Sequence, residues 1–168
     1  MRRERRAREA ALQIAFELEF NDSDPQKVFN EYWREQKAVS DHQRIREYSD
    51  WLVKGILSHR PEIDDLIQSC SEHWRIVRMA HVDRNILRLA VFELLYEKEV
   101  APAIIIDEAI EIAKKFSGEK AATFVNGILD AVRERIQTAP GTLREGKNGQ
   151  ARKTPRKRKP TPKPRDQG

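Results

Sequence analysis

What this sequence lacks narrows the field. It has one cysteine, Cys70, in 168 residues. That excludes an internal disulfide framework or a CxxC motif, and it suits a reducing cytosol. No apolar run approaches the roughly 18 residues that a membrane-spanning helix needs. The basic amino terminus is not followed by a continuous apolar core, so a secretory signal is not expected. Only Gly55, Gly118 and Gly127 precede the last 31 residues, and none belongs to a glycine-rich phosphate loop or a nucleophile elbow. The histidines at 42, 59, 73 and 81 form no pair at ligand spacing, so no metal is expected. Asp107 and Glu108 are neighbours on a helical pattern and cannot face each other across a substrate. Enzymatic chemistry finds no footing, and no cofactor is expected.

Charge is present but unevenly spread. From Thr138 to Gly168 ten Lys and Arg stand against Glu145 and Asp166, a local +8 within a chain of net +5. Residues 2 to 8 hold five arginines and one glutamate, or +4, which leaves residues 9 to 137 at −7. An acidic body with two basic ends suggests a localised site for a polyanion.

The apolar pattern is helical throughout. HVDRNILRLAVFELLY, from His81, is apolar over most of its circumference, which predicts a helix buried on several sides, the axis of a bundle. Arg88 and Glu93 interrupt it, and burying either without a partner would be costly. The first segment, RRERRAREAALQIAFELEF, carries Ala7, Ala11, Ile14 and Leu18 at helical spacing with Ala10 and Ala15 beside them. Its arginines lie at the helix start, the end where the dipole disfavours cations, so compensation from outside the fold is expected. Phosphate is the natural candidate, and the other reading is an unstructured basic terminus.

Asp24 and Pro25 predict a capped helix start, followed by Val28, Phe29, Tyr32 and Trp33 as core. Ser40 or Asp41 is expected to cap a helix using Ile45, Tyr48, Leu52, Val53, Ile56 and Leu57, with Pro61 ending or bending it. Trp74 and Val77 are expected to seal a joint between two packing units. Ile104 to Ile106 is β-branched, yet a lone strand has no partner in this chain, so it should open a helix that ends at Gly118. The last helix, from about Lys120 to Ile136, has Gly127 in its middle, which predicts a close helix crossing. From 138 to 168 the chain carries five of its eight prolines and almost no apolar residues, the composition of a disordered basic tail.

RRARxAALQ-like residues at the start, DRNILRLAVFEL, a proline break, IDEAIEIAKKF and FVNGILD occur in an order that resembles the transcription antitermination factor NusB family, over about residues 3 to 136. The resemblance implies an all-α fold of two three-helix subdomains packed at an angle plus an extra helix, here over residues 1–137. It also implies a cytoplasmic RNA-binding function. Members bind the boxA segment of nascent RNA together with NusE, the ribosomal small-subunit protein, within the RNA polymerase antitermination complex on ribosomal RNA operons. On this resemblance Arg5, Arg6 and Arg8 take the RNA-binding role, with Arg2 and Arg3 extending it. Phe124 matches a position that contacts RNA, although periodicity alone would make it core. Lys120 stands where an acidic residue is common, a departure expected to strengthen phosphate attraction. Arg88 and Asn126 also match motif positions, and a buried polar network would account for both. Two other readings fit part of the pattern. One is an RNA-binding module like that fused to RNA cytosine methyltransferases, and the other is a protein-only helical scaffold whose arginines serve solubility.

Overall fold

A computed structural model describes residues 2–36 and 42–139. The expected cap at Ser40 or Asp41 and the basic tail from 140 onward lie outside the described residues. Among the described residues six helices follow one another: α1 (Arg2–Phe20), α2 (Pro25–Glu35), α3 (His42–Cys70), α4 (His81–Tyr96), α5 (Pro102–Phe116) and α6 (Glu119–Thr138). A single 3₁₀ turn, Ile76–Arg78, lies between α3 and α4. There is no strand among the described residues, and no described helix is long and apolar enough to cross a membrane.

The axis is where periodicity put it. Every residue from Asn85 to Leu94 is buried, and α4 packs against α1, α3, α5 and α6. The small stripe of α1, with Ala7, Ala10, Ala11 and Ile14 all buried, lets that helix approach closely. Helices α4, α5 and α6 pack on one another, α1 and α3 pack on each other and on α4, and α2 packs on α1. The triple isoleucine forms part of α5, because Pro102 occupies its first turn and no strand is near to recruit the segment. Asp24 caps α2, its carboxylate accepting from the Gln26 N–H at 3.2 Å.

Helix α3 is two segments in one. His59 leaves helical geometry (φ −119°, ψ 17°) two residues before Pro61. The proline lacks an N–H and crowds the turn before it. The His59 ring nitrogen Nδ1 donates to the Gly55 carbonyl oxygen at 3.0 Å, occupying an acceptor at the bend. The part beyond Pro61 acts as the additional helical segment, burying Ile63 and Ile67.

Two packing expectations are corrected. Gly127 faces open space, and a Cβ built there meets nothing within 4 Å. The close crossing is at Gly55, where a Cβ would overlap the ring of Phe92. Sequence spacing shows a glycine in a helix but not which way its missing side chain would point. Trp74 and Val77 do not seal the joint either, being 59% and 70% exposed. Met79 is buried there and Ile76 packs beside the core, because the 3₁₀ turn rotates these two inward.

Candidate nucleic-acid interface

The arginine-rich turn of α1 is not uniform. The side chains of Arg2 and Arg3 lie outside the described residues. Arg6 is exposed and makes no ion pair among the described residues. Arg8, two residues on, is buried at 4% exposure. Its Nε and Nη2 donate to the two carboxylate oxygens of Glu93 at 2.7 Å each. Tyr48 donates its hydroxyl to the same carboxylate at 3.3 Å, and its ring lies 5.8 Å from the guanidinium. Arg5 is intermediate. Its Nε and Nη2 donate to the two oxygens of Glu108 at 2.7 and 2.8 Å, and its side chain keeps 42% of its exposure while that of Glu108 keeps 6%.

The compensation expected from outside the fold therefore comes, for Arg5 and Arg8, from inside it. Glu93 on the axial helix and Glu108 on α5 supply the charges that the helix dipole does not. Both pairs are two-pronged, the geometry in which a guanidinium fork matches a carboxylate. The Arg5 hydrogen bonds hold the Glu108 carboxyl below the usual carboxylate range. Burial alone would lower the Arg8 pKa, but the hydrogen bond and charge of Glu93 outweigh it and raise it. For Glu93, burial is the largest influence and pushes the carboxyl up against the pull of Arg8.

Two side-chain bridges link α5 to α1. Arg5 meets Glu108, and Lys115 in the last turn of α5 reaches Glu9 at 3.0 Å. Gly118, with φ +98°, then turns the chain into α6, a positive-φ conformation that suits glycine. Lys120 follows in the first turn of α6, exposed. One turn further, Phe124 is half-buried, packed against the core on one side. On the other it meets the Trp74 ring edge-on, with centroids 6.3 Å apart. Phe124 is thus neither wholly core nor wholly free. Helical spacing alone could not divide a ring between the two.

Arg88 belongs to a separate network, as a polar-network reading requires. It donates through Nε and Nη2 to Asp64 at 2.7 and 2.8 Å and through Nη1 to Glu19 at 2.7 Å. Arg84 joins the same Glu19. Asn126 does not share this explanation, since it is half-buried and makes no side-chain hydrogen bond among the described residues. The residues that sequence reasoning missed are Glu93 and Glu108 as partners of the arginines, and Trp74 as a partner of Phe124. The lone acid inside an apolar helix was the available signal for Glu93. A cavity of about 440 Å³ between the ends of α3 and α6, lined in part by Cys70, His73, Glu134 and Arg135, is remote in the chain from the basic turn. No group of three metal-ligating side chains occurs among the described residues.

Fold and site define a helical binding module, a bundle around one buried helix with a cationic helix start anchored by buried carboxylates. The family model that matches residues 5–134 is the NusB family. The chain belongs to that family. The transcription antitermination protein NusB of Syntrophus aciditrophicus is 40% identical over 136 residues, covering 81% of this chain and 83% of that protein. Among solved structures, NusB of T. maritima is 38% identical with a TM-score of 0.69, covering 78% of this chain and 90% of that one. A crystal structure of the antitermination factors NusB and NusE in complex with double-stranded RNA contains a chain 32% identical to this one. Its TM-score is 0.71, with 80% of this chain and 98% of that one covered.

Proposed function

We propose that this protein is an RNA-binding transcription antitermination factor that acts with a NusE-type ribosomal protein on boxA-containing nascent RNA, chiefly of ribosomal RNA operons. It works in the cytoplasm by binding and without catalysis. The observation that carries the reading is the arginine-rich start of α1, where an exposed Arg6 stands beside a half-exposed Arg5 held in a fixed orientation. Family membership over residues 5–134 supports it.

Within this reading Arg5 and Arg6 contact phosphate, with Arg2 and Arg3 extending the patch. Lys120 adds charge at the start of α6, and Phe124 offers a half-buried ring on which a base stacks. Arg8 belongs to the same site from beneath, fixing the first turns of α1 on the axis. The helical domain of residues 1–137 carries recognition. The tail of 138–168, with its ten basic residues, adds phosphate attraction without sequence preference.

Fluorescence anisotropy of a labelled boxA RNA tests this, with and without the NusE-type partner and across a salt series. The expected result is boxA affinity that exceeds that for a scrambled RNA, rises with the partner and falls steeply with salt. In Arg6→Ala the salt slope should shrink by about one unit, the contribution of one phosphate contact. A full-length protein that binds neither RNA at low salt overturns the reading.

A further inference from the structure

We propose that Glu108 is a positioning residue for RNA: from its buried place on α5 it holds Arg5 as a rigid fork whose outward edge receives a phosphate. This rests on the RNA-binding reading above and extends it to an acidic residue, which at a polyanion site is the opposite of what charge alone selects.

Both oxygens of Glu108 are spent on the Nε and Nη2 edge of Arg5. A guanidinium has five N–H donors in a plane, so the Nη1 end remains for another acceptor. The Arg5 side chain is 42% exposed against 6% for Glu108, so the arginine is the member of the pair that solvent, and a ligand, can reach. Glu108 is itself steadied from behind, because Nη1 of Arg8 lies 3.9 Å from its Oε2. Arg8 in turn forks onto Glu93 of the axial helix. Four groups thus alternate in sign from core to surface: Glu93, Arg8, Glu108, Arg5. Only the last is open to a ligand, and its orientation is referred back to the bundle axis.

Fastening α1 to α5 does not account for the arrangement, since Lys115 and Glu9 already bridge the same two helices. Half-exposed ion pairs also contribute little to stability. Preorganisation does account for it. A free arginine must give up its rotamer freedom on meeting phosphate, whereas Arg5 has already done so. The pair has no net charge, so its benefit is geometric and appears in discrimination between RNAs more than in bulk attraction.

Electrostatics and positioning predict opposite signs, which makes the test decisive. Full-length wild type, Glu108→Gln, Arg5→Lys and the double variant are titrated with a short boxA RNA and with a scrambled RNA of the same composition. Each single substitution should weaken boxA binding roughly tenfold, the scale of one charge-assisted contact. The double variant should be no worse than either single. Scrambled RNA should bind Glu108→Gln as well as wild type or better, because a negative charge has gone. BoxA binding by Glu108→Gln that equals or exceeds wild type overturns the proposal. Should Glu108→Gln lose its helical circular dichroism, Arg5→Lys decides: it keeps the charge at a half-exposed position but not the fork, and unchanged boxA affinity overturns the proposal. A wild type that binds no RNA removes the functional reading itself, a result distinct from either variant outcome.

Discussion

Arg8 and Glu93, 85 positions apart in the chain, meet through two hydrogen bonds of 2.7 Å with side chains 5% and 1% exposed. Neither would be tolerable there alone. A buried carboxylate without its cation carries a desolvation cost that only proton uptake or unfolding relieves. The pair therefore ties the first turns of α1 to the axis of the bundle and fixes where the neighbouring arginines emerge.

Arg8→Ala should accordingly destabilise the protein by about 3–5 kcal/mol, the range for stranding one partner of a buried pair. Replacing both partners, as Arg8→Met with Glu93→Leu, should recover most of that loss, because the buried carboxylate that remains beside them, Glu108, keeps Arg5 as its partner. Urea melts followed by circular dichroism measure both. A double variant no more stable than Arg8→Ala would show that packing around Tyr48, and not the stranded charge, dominates.

The two helical glycines should respond with opposite signs. Gly127→Ala gains helix propensity at a position where the new methyl group meets nothing, so stability should rise by up to about 1 kcal/mol. Gly55→Ala drives a methyl group into the ring of Phe92. That ring is hemmed in by Trp51, His59 and Tyr96 and cannot swing aside, so the loss should be about 1–3 kcal/mol. Thermal melts that move the same way for both would contradict the placement of the crossing.

Acid should act through the depressed carboxyls. Glu108 is held down first by its Arg5 hydrogen bond, and Glu19, although burial pushes it up, is held down by His81, Arg84 and Arg88. A folded pKa below the unfolded value, near 4.3, means stabilisation present above that value and lost as pH falls through the folded one. Glu93, pushed up by burial, works the other way. Comparing Glu108→Gln with wild type isolates one group. The variant should be slightly less stable at neutral pH, as suits a half-exposed pair, and the gap should narrow below about pH 4. Melting curves that stay a constant distance apart down to pH 3 would mean that the Arg5–Glu108 pair contributes no proton linkage.

Phe124→Ala should cost less stability than the roughly 3–5 kcal/mol of a fully buried phenylalanine, because one side of the ring faces Trp74 and solvent. RNA affinity should fall by about 1–3 kcal/mol, the range for one stacked base. Denaturation and RNA titration on one preparation separate the two effects. A full core-sized stability loss with unaltered RNA binding would return Phe124 to the core.

Local chemistry determined much of this protein before any contact was known. Apolar periodicity identified α4 as the buried axis. Asp24 with Pro25 and Gly118 marked helix ends, and the absence of any partner strand made Ile104 to Ile106 helical. The motif order pointed to the family, and the arginines at residues 2 to 8 pointed to a polyanion. Tertiary structure decided which arginines are available. Arg6 and Arg8 are two residues apart, yet one faces solvent and the other ends on Glu93, because a helix turns its side chains by about 100° per residue and the acids lie on other helices. The same holds for Gly127 against Gly55, for Phe124 shared between core and Trp74, and for the exposed Trp74 and Val77. A sequence period records that a face exists. What occupies the space opposite that face is set by residues tens of positions away, and only the packed bundle brings them together.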